Sequence, residues 1–257
     1  MVYHALNCQK KENMMMVSII GPVDSLVTLA QLSDELTQLY DEIMGDEEIR
    51  VVVLMGDGEK SFSLETDSFG PLLEGSDELE TKTVSLAEPL ANLDLPILAA
   101  IHGDAIGQGL ELVLASDIRI ASETSHFGLT HIGTGLIPWD GGTQRLSRLV
   151  GKSNAIEMIL TGKMIDAQEA FRIGLVNKIV PSGDLLPVVL DMAHGMASKG
   201  PIALRYTKEA TYKGLDMTLE QGLRLEADLY LLLHTTQDRT EGIKAFRAKR
   251  TFRFEGK

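Results

Sequence analysis

The stretch HGDAIGQGLELVLASDIRIA, from His102 to Ala121, joins a glycine-rich turn to an acid-bearing helix. The turn Gly107–Gly109 follows a strand-like run and precedes the helical run Leu110–Ala115. The start of a helix offers unpaired backbone N–H groups and a positive dipole end, which favour negative charge. Glycine flanks would let a ligand approach the backbone of Gln108. The stretch predicts either a site where negative charge develops beside Glu111, or a tight turn in which Glu111 interacts with the helix dipole.

The sequence lacks the motifs of two common kinds of cofactor site, for a dinucleotide and for a metal ion. Leu112 occupies the third glycine position of a dinucleotide-binding motif, and no acid ends a following strand in the expected unit. Three histidines, His102, His126 and His131, fall on different predicted elements without a cysteine or acid cluster at ligand spacing. We therefore expect neither a nicotinamide cofactor nor a metal.

Strand-like and helical runs alternate through the first two thirds of the chain. Continuous apolar runs bounded by glycine or proline are typical of strands buried on both faces. They occur at Met14–Ile20, Arg50–Gly56 and Pro96–Gly103. Leucines at three- and four-residue steps between the first two runs indicate an amphipathic helix, and a looser form of this pattern between the second and third predicts another. Beyond Leu185 only helical segments follow, so we expect an α/β fold with parallel strands and a helical C-terminal region.

Composition narrows the function classes further. The chain has 257 residues, of which 44% are hydrophobic, and a net charge of −13, which disfavours nucleic acid as a partner. Its single cysteine, Cys8, cannot form an internal disulfide. No apolar run approaches the roughly 20 residues needed to span a bilayer, and no signal-peptide pattern begins the chain. We expect a cytoplasmic protein that does not bind a membrane.

Four core segments and a tail closely resemble, in order and spacing, the crotonase or enoyl-CoA hydratase/isomerase family. They are EKSFSLETDSF (59–69), HGDAIGQGLELVLASDIRIA (102–121), HFGLTHIGTGLIPWDGGTQRLSRLVG (126–151), LTGKMIDAQEAFRIGLVNKIVP (160–181) and TEGIKAFRAKR (240–250). The resemblance implies a spiral of repeated ββα units over 1–195 and a helical trimerisation region over 196–257. It also implies a homotrimer or a dimer of trimers, and an acyl-CoA thioester as the ligand.

Catalytic roles follow from the same resemblance. Two backbone N–H groups, those of Thr66 and Gln108, would form an oxyanion hole for the thioester oxygen, which becomes negative as an enolate forms. Glu111 falls at the position of a glutamate that orients or deprotonates water. The glycine-rich backbone and the adjacent acid then have separate roles. The backbone N–H groups would stabilise the enolate, and Glu111 would move a proton.

Coenzyme A would be held by a second group of residues, and no prosthetic group is implied. The carbonyl of Leu64 falls where the family meets the adenine amine. Three cations are candidates for the CoA phosphates or ordinary solvated side chains: Lys60, Lys249 and Arg250.

Two departures from the family pattern concern possible proton-transfer residues. His131 stands twenty positions after Glu111, where the typical hydratase has a second glutamate. With a reference pKa of about 6.5, a histidine can act as acid or base, or it can only hydrogen-bond and shape the pocket. Asp140, beside Trp139, either donates a proton or caps the helix that begins near Gly141.

These features favour an enzyme that hydrates, or dehydrates toward, an α,β-unsaturated acyl-CoA. The missing glutamate favours an unusual substrate, and we expect an alicyclic dienoyl-CoA. Double-bond isomerisation, decarboxylation and C–C hydrolysis remain open, because all need the same oxyanion hole. A catalytically degenerate CoA-binding protein is the other alternative, since His131, Gln108 and Glu65 all depart from the pattern.

Overall fold

The computed structural model describes residues 3–20, 26–56, 62–64, 85–250, 252 and 254–257, apart from the side chains of 26 and 27. The described strands are β1 Leu6–Lys11, β2 Met14–Ile19, β3 Val51–Gly56, β4 Ser63–Leu64, β5 Ile97–Ile101, β6 Ala105–Gly107, β7 Ile118–Ser122, β8 His126–Gly128, β9 Ile165–Asp166 and β10 Lys178–Val180. The described helices are α1 Leu26–Met44, α2 Ala87–Ala91, α3 Gln108–Leu114, α4 Gly142–Thr161, α5 Ala167–Arg172, α6 Leu185–Ala197, α7 Pro201–Leu215, α8 Leu219–Leu233 and α9 Gln237–Arg247.

The strands of the described residues form two sheets. The larger has the order β1-β2-β3-β5-β7-β10 and is parallel except for the β1–β2 hairpin. The smaller has the order β4-β6-β8-β9. Consecutive strands alternate between the sheets, as in β3 and β4, β5 and β6, and β7 and β8, and a helix follows each of these pairs. This is the predicted spiral of ββα units, and the expected α/β class with parallel strands is confirmed.

Both faces of the larger sheet are covered, which explains the continuous apolar runs. In β3, Val52 and Leu54 face a core that includes the leucine stripe of α1, whereas Val51 and Val53 face a second core that includes residues of α6. Successive side chains of a strand point to opposite faces. A strand between two helical layers must therefore be apolar at every position.

The last helices pack differently from α6. Helices α7 and α8 pack against each other. Polar contacts tie α7 to the core, since Lys208 Nζ lies 2.9 Å from Asp117 Oδ2 and 2.8 Å from the Leu95 carbonyl oxygen. Large apolar side chains on α8 remain exposed, among them Leu219, Leu223 and Tyr230. Of the helices described, none is long and apolar enough to cross a membrane.

The turn between β6 and α3 requires glycine at two positions. Gly107 has φ 61° and ψ −132°, a conformation that side chains disfavour. A Cβ on Gly109 would lie 1.7 Å from the carbonyl oxygen of Phe62, just before β4. Because β4 pairs with β6, this backbone oxygen cannot move without disturbing the smaller sheet. The glycines thus let helix α3 begin directly against β4.

We predict that Gly109→Ala lowers the free energy of unfolding by at least about 2 kcal/mol, because the added methyl group meets backbone. Denaturant unfolding followed by circular dichroism measures it. Gly195→Ala is the matched control, since Gly195 also lies in a helix, α6, and a Cβ there meets nothing within 4 Å. The control should be neutral or gain about 0.5–1 kcal/mol. Equal effects in the two variants would contradict the steric explanation.

Candidate active site

Glu111 lies in the first turn of α3 and has no solvent exposure. Its Oε1 accepts hydrogen bonds from the backbone N–H groups of Asp140, at 2.9 Å, and Gly142, at 2.8 Å. Gly142 is the first residue of α4, where unpaired N–H groups and the helix dipole favour an anion. The carboxylate is therefore held by a different helix from the one that carries it, and Oε2 is left to other contacts.

His131 faces that second oxygen. It lies in a short 3-10 helix, Thr130–Thr134, is fully buried, and places Nε2 3.3 Å from Glu111 Oε2. The Trp139 ring meets the imidazole edge-on, with centroids 5.2 Å apart. In the described part of the chain, neither Glu111 Oε2 nor His131 Nε2 has a partner with hydrogen-bond geometry. Buried polar atoms left this way are costly, and their position beside each other suits the binding of a polar reactant.

The carboxylate of Asp140 binds the beginning of α2. Its Oδ1 accepts from the hydroxyl of Ser85 at 2.5 Å, and its Oδ2 from the N–H groups of Leu86, at 2.7 Å, and Ala87, at 3.0 Å. A helix, α4, does begin next to Gly141 as expected, but the expectation that Asp140 caps it is wrong, because α4 has no side-chain cap. Asp140 caps α2 instead. To donate a proton, Asp140 would have to give up one of these contacts.

Gln108 connects Asp140 to the glycine turn. It is the first residue of α3, is almost fully buried, and donates from Nε2 to Asp140 Oδ2 at 3.2 Å. Leu64 is buried in β4 and pairs with Gly107, immediately before Gln108. The structure thus brings Gln108, Glu111, His131 and Asp140 together, with Leu64 on the adjoining strand.

Among the remaining candidates, the described contacts of Lys249 and Arg250 do not involve this group. Arg250 forms an ion pair with Glu241 of α9, and Lys249 is exposed with a φ of 51°. Thr66 and Lys60 lie outside the described residues, as does most of the looser helix expected between the second and third apolar runs. Across the described ranges, no group of three or more His, Cys, Asp and Glu side chains is arranged to hold a metal.

Sequence reasoning missed two residues of the site. Gly142 lies so close to Glu111 that a Cβ would be 2.8 Å from Oε1, and the glycine pair in PWDGG is the signal that could have revealed it. Ser85, which contacts Asp140 from 55 residues away, lies in no recognisable motif.

Comparison with known proteins identifies the family of this chain. A family model described as "Enoyl-CoA hydratase/isomerase" matches residues 10–257. The chain belongs to the enoyl-CoA hydratase/isomerase family. It is 36% identical to the crotonyl-CoA hydratase of Syntrophomonas wolfei, over 100% of both chains. It is 39% identical to the (E)-benzylidenesuccinyl-CoA hydratase of Thauera aromatica, over 86% of this chain and 88% of that one.

The fold comparison supports the same family. The crystal structure of an enoyl-CoA hydratase from Bacillus anthracis superposes with a TM-score of 0.88 at 35% identity, covering 99% of this chain and 100% of the other. The predicted crotonase resemblance is therefore confirmed. The protein is an enoyl-CoA hydratase-like enzyme that acts on acyl-CoA.

We predict that Gly142→Ala lowers kcat about a hundredfold, because the methyl group displaces a carboxylate whose placement must be accurate to within an ångström. Steady-state hydration of a 2-enoyl-CoA measures it. Gly183→Ala is the control, as a Cβ there meets nothing within 4 Å. Unchanged kcat in Gly142→Ala would mean that Glu111 does not need its present position.

Proposed function

We propose that this enzyme adds water to the double bond of an α,β-unsaturated acyl-CoA, with Glu111 and His131 as its two proton-transfer groups. The observation that carries the proposal is the fully buried approach of Glu111 Oε2 to His131 Nε2, at 3.3 Å. An acceptor and an imidazole at this distance can serve one reacting water and the carbon beside it.

The proton movements of this reaction balance. Glu111 Oε2 takes a proton from water as the water oxygen attacks the β-carbon, and the double-bond electrons move through the α-carbon onto the thioester oxygen. Protonated His131 then gives its Nε2 proton to the α-carbon, and the enolate returns to a thioester. The proton on Glu111 then returns to His131, which restores both groups. Oε2 and Nε2 lie 3.3 Å apart, so a small rotation of either side chain would align them for this transfer.

Backbone N–H groups would stabilise the enolate oxygen. In this proposal they are those of Thr66 and Gln108, and the burial of Gln108 at the start of α3 supports the second. The carbonyl of Leu64 would accept from the adenine amine, and Lys60, Lys249 and Arg250 would meet the CoA phosphates. Coenzyme A enters only as part of the substrate.

His131 is a better second proton carrier than Asp140. Both Asp140 oxygens already accept hydrogen bonds, from Ser85 on one side and from Leu86 and Ala87 on the other. His131 Nε2, in contrast, faces Glu111 without a hydrogen bond in the described structure. A group that already lies beside the other reacting group can transfer a proton without first breaking contacts.

We further propose an alicyclic dienoyl-CoA as the preferred substrate. Extended conjugation changes which carbon atom of the substrate must receive a proton. This suits a site in which the second proton-transfer group is an imidazole. The Trp139 ring beside His131 offers an apolar surface to a cyclic acyl group. The name of the Thauera aromatica relative, (E)-benzylidenesuccinyl-CoA hydratase, supports a substrate whose acyl group is not a straight chain.

A mass-spectrometric screen tests both the proposed hydration and the proposed substrate. The purified protein is incubated with crotonyl-CoA, longer 2-enoyl-CoAs, cyclohexenoyl-CoA, cyclohexadienoyl-CoA and malonyl-type thioesters. Gain of one water, greatest on the cyclic diene, is the expected result. Gain of water on crotonyl-CoA alone would overturn the substrate proposal, loss of carbon dioxide would indicate a decarboxylase, and binding without mass change would indicate a degenerate protein.

We predict that Glu111→Gln and His131→Gln each lower kcat about a hundredfold to ten-thousandfold, the usual contribution of a positioned acid or base. His131→Glu is the informative partner, because it restores a second carboxyl group and should retain far more hydration of crotonyl-CoA than His131→Gln. Initial rates followed by mass spectrometry measure the three variants. Full activity in His131→Gln would remove His131 from the mechanism.

For assembly we propose that 1–195 forms the catalytic core and that 196–257 joins the copies into a homotrimer or a dimer of trimers, in the cytoplasm. The support is the row of apolar side chains along α8, where Leu219, Leu223 and Tyr230 recur at helical spacing and are 79%, 55% and 60% exposed. Exposed apolar rows of this kind mark protein interfaces.

We predict that the double variant Leu223→Ser/Tyr230→Ser shifts the protein toward monomer, because it removes apolar area from that row. Light scattering after size-exclusion chromatography measures the mass. Arg224→Ala is the control, since Arg224 is exposed and pairs only with Glu220 of the same helix in the described contacts. A wild-type protein that is already monomeric would refute the assembly proposal.

A further inference from the structure

We infer that Asp140 is a positioning residue, whose carboxylate fixes Gln108 and the start of α2 against the loop that holds Glu111. The inference rests on the proposed hydration, since it states what keeps the groups of that reaction in place. It assigns Asp140 no contact with the substrate and no proton transfer.

Four donors converge on this one carboxylate. Ser85 donates its hydroxyl to Oδ1, and the N–H groups of Leu86 and Ala87, with Nε2 of Gln108, donate to Oδ2. Asp140 is only 7% exposed, so these contacts replace almost all of its hydration. All four donors are neutral, which means that hydrogen bonds and the α2 dipole stabilise the buried charge.

The backbone of Asp140 carries the connection to Glu111. Its N–H donates to Glu111 Oε1 at 2.9 Å, and its carbonyl oxygen accepts from Arg145 of α4 at 2.8 Å. One residue therefore joins α2, the first residue of α3, the general base and α4. A displacement of Asp140 would move the Glu111 carboxylate and Gln108 together.

Replacement by asparagine distinguishes this role from proton transfer. In Asp140→Asn the new amide oxygen can still accept from Leu86, Ala87 and Gln108. The new NH₂ group can donate to the Ser85 hydroxyl oxygen, which already accepts from the N–H of Glu88. The asparagine side chain can therefore hold the structure but cannot transfer a proton, whereas alanine can do neither.

The first experiment compares kcat, KM and the pH dependence of kcat for Asp140→Asn and Asp140→Ala. We expect Asp140→Asn to stay within about tenfold of wild type with an unchanged pH profile, and Asp140→Ala to lose about a hundredfold in kcat with a smaller change in KM. Ser85→Ala should also lower kcat, but only a few-fold. Equal, large losses in Asp140→Asn and Asp140→Ala, with a lost limb in the pH profile, would overturn the inference in favour of proton transfer.

Asp166→Ala is the matched control. Asp166 also caps a short helix, α5, by accepting from the N–H of Glu169, and it has no role in the proposed reaction. Its loss should cost stability while leaving kcat unchanged. If the control lowers kcat as much as Asp140→Ala does, the loss is a general effect of removing a cap and the inference fails.

A second measurement does not depend on turnover. Hydrogen exchange of the peptide covering 85–91 should quicken about tenfold or more in Asp140→Ala, but much less in Asp140→Asn, because Leu86 and Ala87 lose their acceptor only in the first. Exchange in α6 serves as the internal reference. Unchanged exchange over 85–91 would refute the positioning role even if wild type hydrates no thioester, whereas failure of hydration with the expected exchange pattern would refute the proposed function alone.

Discussion

The carboxylate of Glu111 is fully buried, and its position depends on two backbone N–H groups, of Asp140 and Gly142, that donate to one of its oxygens. Burying a carboxylate without such donors would be strongly unfavourable. The donors sit at the start of α4, so the helix dipole adds to the hydrogen bonds. The chain thus holds a carboxyl group in a fully buried site and leaves its Oε2 without a hydrogen bond in the described structure.

This constraint explains why glycine occurs where the elements meet. Gly109 allows β4 to approach the start of α3, and Gly142 allows α4 to approach the Glu111 side chain. In each case a Cβ would fall within 3 Å of an oxygen that must stay in place. Backbone packed this closely can point N–H groups at a bound anion without intervening side chains, which is the requirement that an oxyanion imposes.

Much of the fold could be predicted from the sequence because three strands of the larger sheet, β2, β3 and β5, are apolar at nearly every position. The runs at Met14–Ile20 and Arg50–Gly56 have the pattern of strands covered on both faces, and the structure places α1 and α6 on those faces. The division of strands between two sheets could not be derived from periodicity, since β4 has only two residues and β9 likewise. That part of the prediction came from the resemblance.

The site, like the fold, was predictable only in part. The family resemblance singled out His131, twenty residues after Glu111, and Asp140 in the motif PWDGG, and these residues do meet in space. The capping role of Asp140 could not be read from the sequence, because its acceptor geometry is decided by Ser85, Leu86 and Ala87, more than fifty residues earlier. Sequence neighbours of an aspartate suggest only local caps, whereas this cap is formed by tertiary packing.

Imidazole in place of a second carboxyl group changes the charge of the proposed reaction. Two carboxyl groups that share one proton carry a net charge of −1, and this charge opposes the enolate that forms beside them. Glu111 and His131 with one proton between them are neutral as a pair. In a buried site with a low dielectric constant, removing one negative charge near the enolate oxygen lowers its energy appreciably. In the proposed reaction the imidazole therefore lowers the energy of the enolate, and conjugation that spreads the enolate charge would act in the same direction.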